Sequence, residues 1–257
     1  MEVFIYEVQK GDSIDRIAKK FYGTITATHV ITGYYANRQM DYKNLKPGDR
    51  IQIPNFPTKQ KENATMTREE YIFMLDGTEE NNRKQFLKEY AIRSKRLSSM
   101  AEILEDIGYF ICPAAKSHHG NHIGGLWEHS REVADQLYML TKKLNLKWER
   151  EDSPLVIGLL HDLCKTNLYT LSFDEQEGNI QIGYNNERII DGHGDLSVIM
   201  VQQHITLSAE EIMCIRHHMG AFVDEKERQY YSKAVGTYPN VLWTHTADMI
   251  ASQIKNI

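Results

Sequence analysis

Apolar positions in the first 54 residues switch between the two periods of regular structure. Val3-Phe4-Ile5-Tyr6-Glu7-Val8 reads as a strand and Gly11-Asp12 as a turn. Ser13 is placed to cap a helix whose apolar positions Ile14, Ile17, Ala18 and Phe21 recur at helical spacing, and Gly23 ends it. A second helical stretch runs through Val30, Ile31 and Tyr34 to Ala36-Asn37. Leu45-Lys46-Pro47-Gly48-Asp49 then turns into a short strand, Arg50-Ile51-Gln52-Ile53, stopped by Pro54. The expected unit, residues 1–55, is therefore βααβ. Residues 56–66, with Pro57 and few apolar positions, read as a linker.

From residue 67 to 257 the pattern is mainly helical. Thr67 and Glu70 form a capping box, and Thr78 with Glu79 and Glu80 is expected to open a further helix. Gly124 and Gly125 allow a tight entry into a helix that places His129, Val133, Leu137 and Leu140 on one face. Leu155 to Leu160 is an unbroken apolar or small run, so it must be buried, and it ends on His161 and Asp162. Leu168 to Ile182 alternates as a hairpin turning at Glu175-Gln176-Glu177-Gly178. His193 precedes a helix with Asp195 as its expected cap, and Ser208 with Glu211 boxes the start of another that reaches His217-His218. Val241 to Asp248 heads the last helix. The fold class expected is mainly α, with a small hairpin insertion and a small βααβ unit in front.

Burying an imidazole and a carboxylate costs several kcal/mol unless they are paired, hydrogen-bonded or metal-bound. The same problem recurs along the chain, since ten of the eleven histidines lie between His118 and His245. Apolar stretches deliver His129, His161 with Asp162, His193, His217 or His218, and Asp248. Imidazole with carboxylate suits Zn, Mn, Fe, Co or Ni rather than Mg or Ca. So many ligands exceed one tetrahedral ion, and two ions bridged by Asp162 are the economical arrangement.

Composition narrows the setting. A net charge of −5 over 257 residues advertises neither a nucleic-acid nor a membrane surface. Cys112, Cys164 and Cys214 sit in apolar surroundings and read as reduced core thiols. The N-terminal residues carry no basic region followed by an apolar run, and no segment approaches membrane-spanning length, so a cytoplasmic protein without membrane insertion is expected.

Two resemblances sharpen these expectations. Tyr6-Glu7-Val8-Gln9-Lys10-Gly11-Asp12-Ser13, Ile17 to Gly23, Ala36-Asn37-Arg38 and Leu45 to Pro54 together resemble the LysM module. That resemblance implies a site for N-acetylglucosamine-type glycans, here at Gly11, Asp12, Ser13 and Ile14 with the loop Met40 to Leu45, or a docking site for a protein partner. The order His, His-Asp, Asp on a helical scaffold resembles the HD-domain metal-dependent phosphohydrolases. Pro113-Ala114-Ala115-Lys116, Gly124-Gly125-Leu126, Glu128-His129, Leu159 to Asp162 with Lys165, Gly192-His193, His217-His218 with Gly220, and Ala247-Asp248 are similar to the bacterial HD-domain exoribonucleases of the YhaM type.

This second resemblance implies that His129, His161, Asp162 and Asp248 hold one divalent ion. It assigns Asp162, His193 and one of His217 and His218 to another, with His217 preferred as ligand and His218 facing substrate. Lys165 is expected at a phosphate or leaving oxygen, and Lys116, His118 and His119 along the phosphate path. The implied activity is hydrolysis of a phosphoester in a nucleotide or short oligonucleotide. A nucleoside triphosphohydrolase, a diiron oxygenase of the same superfamily, or a glycan-binding or docking protein with a structural HD domain are the alternatives. Two departures stand out. The LysM-like unit occupies the place of the oligonucleotide-binding barrel of those exoribonucleases, and no run of basic and aromatic residues marks a single-strand grip.

Overall fold

The computed structural model describes residues 3–22, 31–32, 37, 40–54, 66–117, 120–190, 192–221 and 225–255. The chain divides into two compact units, Met1–Asn81 with Phe173–Ile180, and Asn82–Ser172 with Gln181–Ile257.

In the first unit β1 (Val3–Glu7) pairs antiparallel with β2 (Arg50–Pro54), Ile5 facing Gln52 and Tyr6 facing Ile51. Between them α1 (Ile14–Tyr22) buries Ile17 and Ala18 against Tyr6, Val8, Ile31, Ile51 and Ile53. The Ser13 hydroxyl accepts from Arg16 N–H, as expected of a cap. The second helix expected here lies mostly outside the described residues, although Ile31 and Thr32 are helical. Asn37 ties this core together, its amide donating to the Ile31 carbonyl at 2.8 Å and its carbonyl accepting from Gln52 N–H at 2.8 Å.

The helix α2 (Arg68–Glu89) opens on the expected box: Thr67 N–H donates to Glu70 at 2.8 Å and Glu70 N–H to the Thr67 hydroxyl at 3.2 Å. The separate helix expected from Thr78 does not form, because α2 runs straight through. An isolated glycine such as Gly77 costs a helix only about 1 kcal/mol, too little to break 22 residues of otherwise helical pattern.

In the second unit α3 (Lys95–Asp106), α4 (Gly125–Leu144), α5 (Ser153–Leu160) and the one-turn α6 (Lys165–Leu168) are followed along the chain by a hairpin of β3 (Tyr169–Asp174) and β4 (Asn179–Tyr184), of which Phe173–Ile180 belongs to the first unit. Then come α7 (His193–Gln202), α8 (Ala209–Arg216), α9 (Glu225–Thr237) and α10 (Asn240–Met249), which continues as a π-helical turn, Ile250–Ile254. The fold is thus mainly helical with small two-stranded sheets, as the periodicity predicts. No described helix is long and apolar enough to cross a membrane.

Trp127 anchors this core, ringed edge-on by Phe86, Tyr90, Tyr109 and Phe110. The helix α5 is apolar on every side and wholly buried, packing most extensively on α4. That approach depends on Gly158, where a Cβ would stand 2.3 Å from the Ala134 Cα. The start of α4 is set by Gly124, whose φ of 81° only glycine adopts readily. The Ser208–Glu211 capping box forms as read from the sequence. Asp195 does not cap α7; Gly192 takes that place, and Asp195 instead accepts from Arg216 Nε at 2.6 Å.

Candidate metal centre

Five helix ends and turns deliver the chemistry to one point inside the second unit. The first turn of α4 carries His129, the turn closing α5 carries His161 and Asp162, and the start of α7 carries His193. The turn after α8 brings in His218, and the last turn of α10 Asp248. Asp162 is at the centre, and both it and His161 are buried. Its Oδ1 lies 2.5 Å from His193 Nε2 and 3.3 Å from His218 Nε2. Its Oδ2 lies 2.6 Å from Lys165 Nζ, 3.5 Å from His161 Nε2 and 3.6 Å from His129 Nε2. His129 Nε2 is also 3.2 Å from Asp248 Oδ1 and 3.3 Å from His161 Nε2.

Donor atoms bonded to one ion at about 2.1 Å stand about 3.0 to 3.4 Å apart across right or tetrahedral angles. The spacings here fall close to that range. Among the described residues, three groups have donor atoms within 4.8 Å of one another: His129, His161 and Asp162; His161, His218 and Asp248; and Asp162, His193 and His218. They overlap, and Asp162 belongs to two of them.

The tautomers suit the same purpose. His161 Nδ1–H donates to the Gly158 carbonyl at 2.9 Å, and His218 Nδ1–H to the Ile215 carbonyl at 2.7 Å. In the neutral ring each bond leaves the Nε2 lone pair facing the cluster. Burial drives the His161 pKa down to about 3, outweighing the nearby Asp162 carboxylate, so that ring is neutral. His218 Nε2 is buried with no hydrogen-bond partner, an orphaned lone pair of the kind a metal satisfies. Burial alone would raise the carboxyls. For Asp248 the His129 hydrogen bond and the neighbouring imidazoles win and hold it at about 2, and for Asp162 the Lys165 ammonium leads in holding it well below the usual range. Neutral imidazoles and ionised carboxylates are what a divalent transition ion requires.

Of the adjacent pair, His218 stands in the cluster. His217 Nε2 turns instead to Arg216 Nη1 at 3.2 Å. Lys116 is exposed and lies over the Tyr184 ring, while His118 and His119 fall outside the described residues. In the other unit, the four residues of the expected glycan turn are engaged locally. Asp12 accepts from the Tyr6 hydroxyl at 2.7 Å and Gln9 N–H at 2.8 Å, the Gly11 carbonyl accepts from Arg16, Ser13 caps α1, and Ile14 packs on the core.

Two features escape sequence reading. Cys164 Sγ contacts His193 Nδ1 at 3.2 Å, so a thiol read as core filling orients a ring of the cluster. Beside it a pocket lined by Cys164, Leu168, Arg188, Ile190, Gly192, His193 and Leu196 opens toward His193. The Gly192-His193 junction marks one wall, but nothing in the local pattern around Arg188 points to a site.

The family model of the HD domain matches residues 126–240, and that of the LysM domain matches residues 6–33. No curated protein matches the chain, and no solved structure does. The HD match suggests the metal-dependent phosphohydrolase superfamily, with His/Asp groups that could bind metal, and the LysM match suggests glycan binding. Asp248 lies just beyond the matched HD segment, yet its carboxylate reaches His129 as closely as any donor in the cluster.

Proposed function

We propose that the chain is a metal-dependent phosphohydrolase or phosphodiesterase acting on a nucleotide or short oligonucleotide, in the manner of the YhaM-type HD exoribonucleases that its motifs resemble. The observation that carries this reading is the set of three overlapping donor groups, two of them sharing the buried Asp162, with the orphaned His218 Nε2 aimed into them.

His129, His161, Asp162 and Asp248 would hold one divalent transition ion, whether Mn, Fe, Ni, Co or Zn, and Asp162, His193 and His218 a second. Bound ions of this kind supply Lewis-acid polarisation of a phosphoryl group and acidify a water. The protein's own share is positional. The Gly158 and Ile215 carbonyls fix the His161 and His218 rings, Cys164 orients His193, and burial excludes bulk water from Asp162. Lys165, 15% exposed and held protonated against burial by Asp162, keeps a positive charge where the phosphoester or its leaving oxygen would arrive. Residues 1–55 we assign a separate binding role, toward an N-acetylglucosamine-type glycan or a protein partner.

The test is metal content and Mn-dependent cleavage of bis-p-nitrophenyl phosphate by the purified chain beside His161→Ala and Asp162→Ala. The parent should carry metal and turn over, while both variants lose activity by on the order of 100-fold or more. Equal turnover in all three removes the enzyme reading.

A further inference from the structure

The cluster accounts for a phosphoester but for nothing attached to it. Leading away from it, three side chains distant in sequence stand together: Lys116 ahead of α4, Tyr184 at the end of β4 and Tyr169 at the start of β3. The two tyrosine rings are 5.6 Å apart between centroids and inclined at 35°. The Lys116 ammonium lies 4.8 Å from the Tyr184 centroid. Tyr184 is 50% exposed, whereas Tyr169 is half-buried.

This set is joined to the metal centre. Tyr169 directly follows α6, whose first residue Lys165 has its ammonium 2.6 Å from Asp162. The Cys112 thiol, in the segment leading to Lys116, donates to the Lys165 carbonyl at 3.4 Å. The Tyr169 phenol is raised chiefly by burial, with Lys165 lowering it and Asp162 raising it, so it feels the charges of the cluster.

We propose that Tyr184, backed by Tyr169, is a stacking platform for the base of a nucleotide whose phosphoester reaches the Asp162 centre, with Lys116 paired to that nucleotide's phosphate. A cross-strand aromatic pair can stabilise a hairpin by itself, but such a pair gains by burying both rings, and here the outer one stays half open. An ammonium resting on an aromatic face is held by the ring's quadrupole. A base would take that face and release the cation to a phosphate, exchanging one contact for two. Stacking tolerates any base, so the platform selects nucleotides over other phosphoesters without selecting sequence. The proposal rests on reading the cluster as a phosphoesterase centre and names its substrate class.

Calorimetric titration of the full chain with adenosine 5′-monophosphate and with ribose 5-phosphate tests it, on the parent, Tyr184→Phe and Tyr184→Ala. The parent should bind the nucleotide about tenfold or more tighter than the base-free sugar phosphate. Tyr184→Phe should keep that preference and Tyr184→Ala should lose it. Equal affinity for the two ligands in the parent, no binding of either, a preference surviving in Tyr184→Ala, or one lost in Tyr184→Phe would each overturn the platform. Hydrolysis of bis-p-nitrophenyl phosphate by the parent is scored alongside. Turnover without base preference sinks the platform alone, and base preference without turnover sinks the phosphoesterase reading alone.

Discussion

His218 and His217 share a peptide bond and meet opposite environments. The His218 ring is fixed by its Nδ1–H bond to Ile215 and aims Nε2 at Asp162, 3.3 Å away. The His217 lone pair is already committed to the Arg216 guanidinium, which is itself tied to Asp195. Burial first, and then the Arg216 charge, depress the His217 pKa, so that ring is neutral beside a fixed cation. A metal ion at His217 would have to displace or repel Arg216. We therefore expect His218→Ala to release about one of two bound ions and to lower phosphoesterase turnover by on the order of 100-fold, and His217→Ala to change both by less than about threefold. Plasma emission spectrometry of chelator-free protein gives the stoichiometry. The reverse pattern would transfer the ligand role to His217.

Helices α4 and α5 hold the two ends of the His129–His161 contact, and their separation is set by one missing side chain. A Cβ on Gly158 would meet the Ala134 Cα at 2.3 Å, and because that atom is backbone the helices themselves would have to part. Gly158→Ala should cost about 1–3 kcal/mol through overpacking, less the fraction of a kcal/mol to 1 kcal/mol that alanine returns in helix propensity. It should also weaken metal binding, since parting the helices draws His129 from His161. Urea unfolding and a metal titration on the same sample check both effects; parent-like values would mean the close approach is not tight. A second device fixes α3, α5 and α8 to one another. Arg96 donates to the fully buried Glu211 at 2.7 and 2.9 Å and to Asp152, while Ser153 donates to Glu211 at 2.7 Å. Burial would raise the Glu211 carboxyl, but Arg96, Ser208 and Ser153 hold it below its ordinary value. Its contribution is therefore complete above the unfolded-state pKa and is lost as pH falls through that value toward the folded one. Arg96→Met removes the two-pronged partner of this buried carboxylate, leaving Arg150 at 3.2 Å as its remaining cation, and should cost up to about 3–5 kcal/mol at neutral pH. That deficit should shrink in acid, where the parent also loses the interaction. A deficit independent of pH would assign the loss to packing alone.

Over the whole chain, what could be read in advance was whatever repeats or sits beside an apolar run. Leu155 to Leu160 announced a buried helix ending on His161-Asp162, and the caps at Thr67, Ser208 and Gly124 marked real helix starts, because these signals are local. What depends on distant partners was silent. The continuity of α2 past Gly77, the choice between His217 and His218, the thiol of Cys164 against His193 and the meeting of Lys116 with Tyr184 are all decided by contacts that no window of sequence contains. The three tryptophans, Trp127, Trp148 and Trp243, all lie in the second unit, so indole fluorescence reports that unit's unfolding and not the other's. If the centre binds metal only when folded, saturating Mn at about 100 times its dissociation constant should stabilise this unit by about 2.7 kcal/mol. For a domain of this size that raises the fluorescence-detected Tm by about 5–10 °C. Unfolded histidines and cysteines compete weakly for the ion, which trims the shift without reversing it. EDTA should cancel the rise, and Asp162→Ala, which removes the donor shared by two of the three groups, should show almost none. An equal rise in Asp162→Ala would mean that the ion binds elsewhere, and no rise in the parent would mean that Asp162 is held by Lys165 and the surrounding imidazoles rather than by an ion.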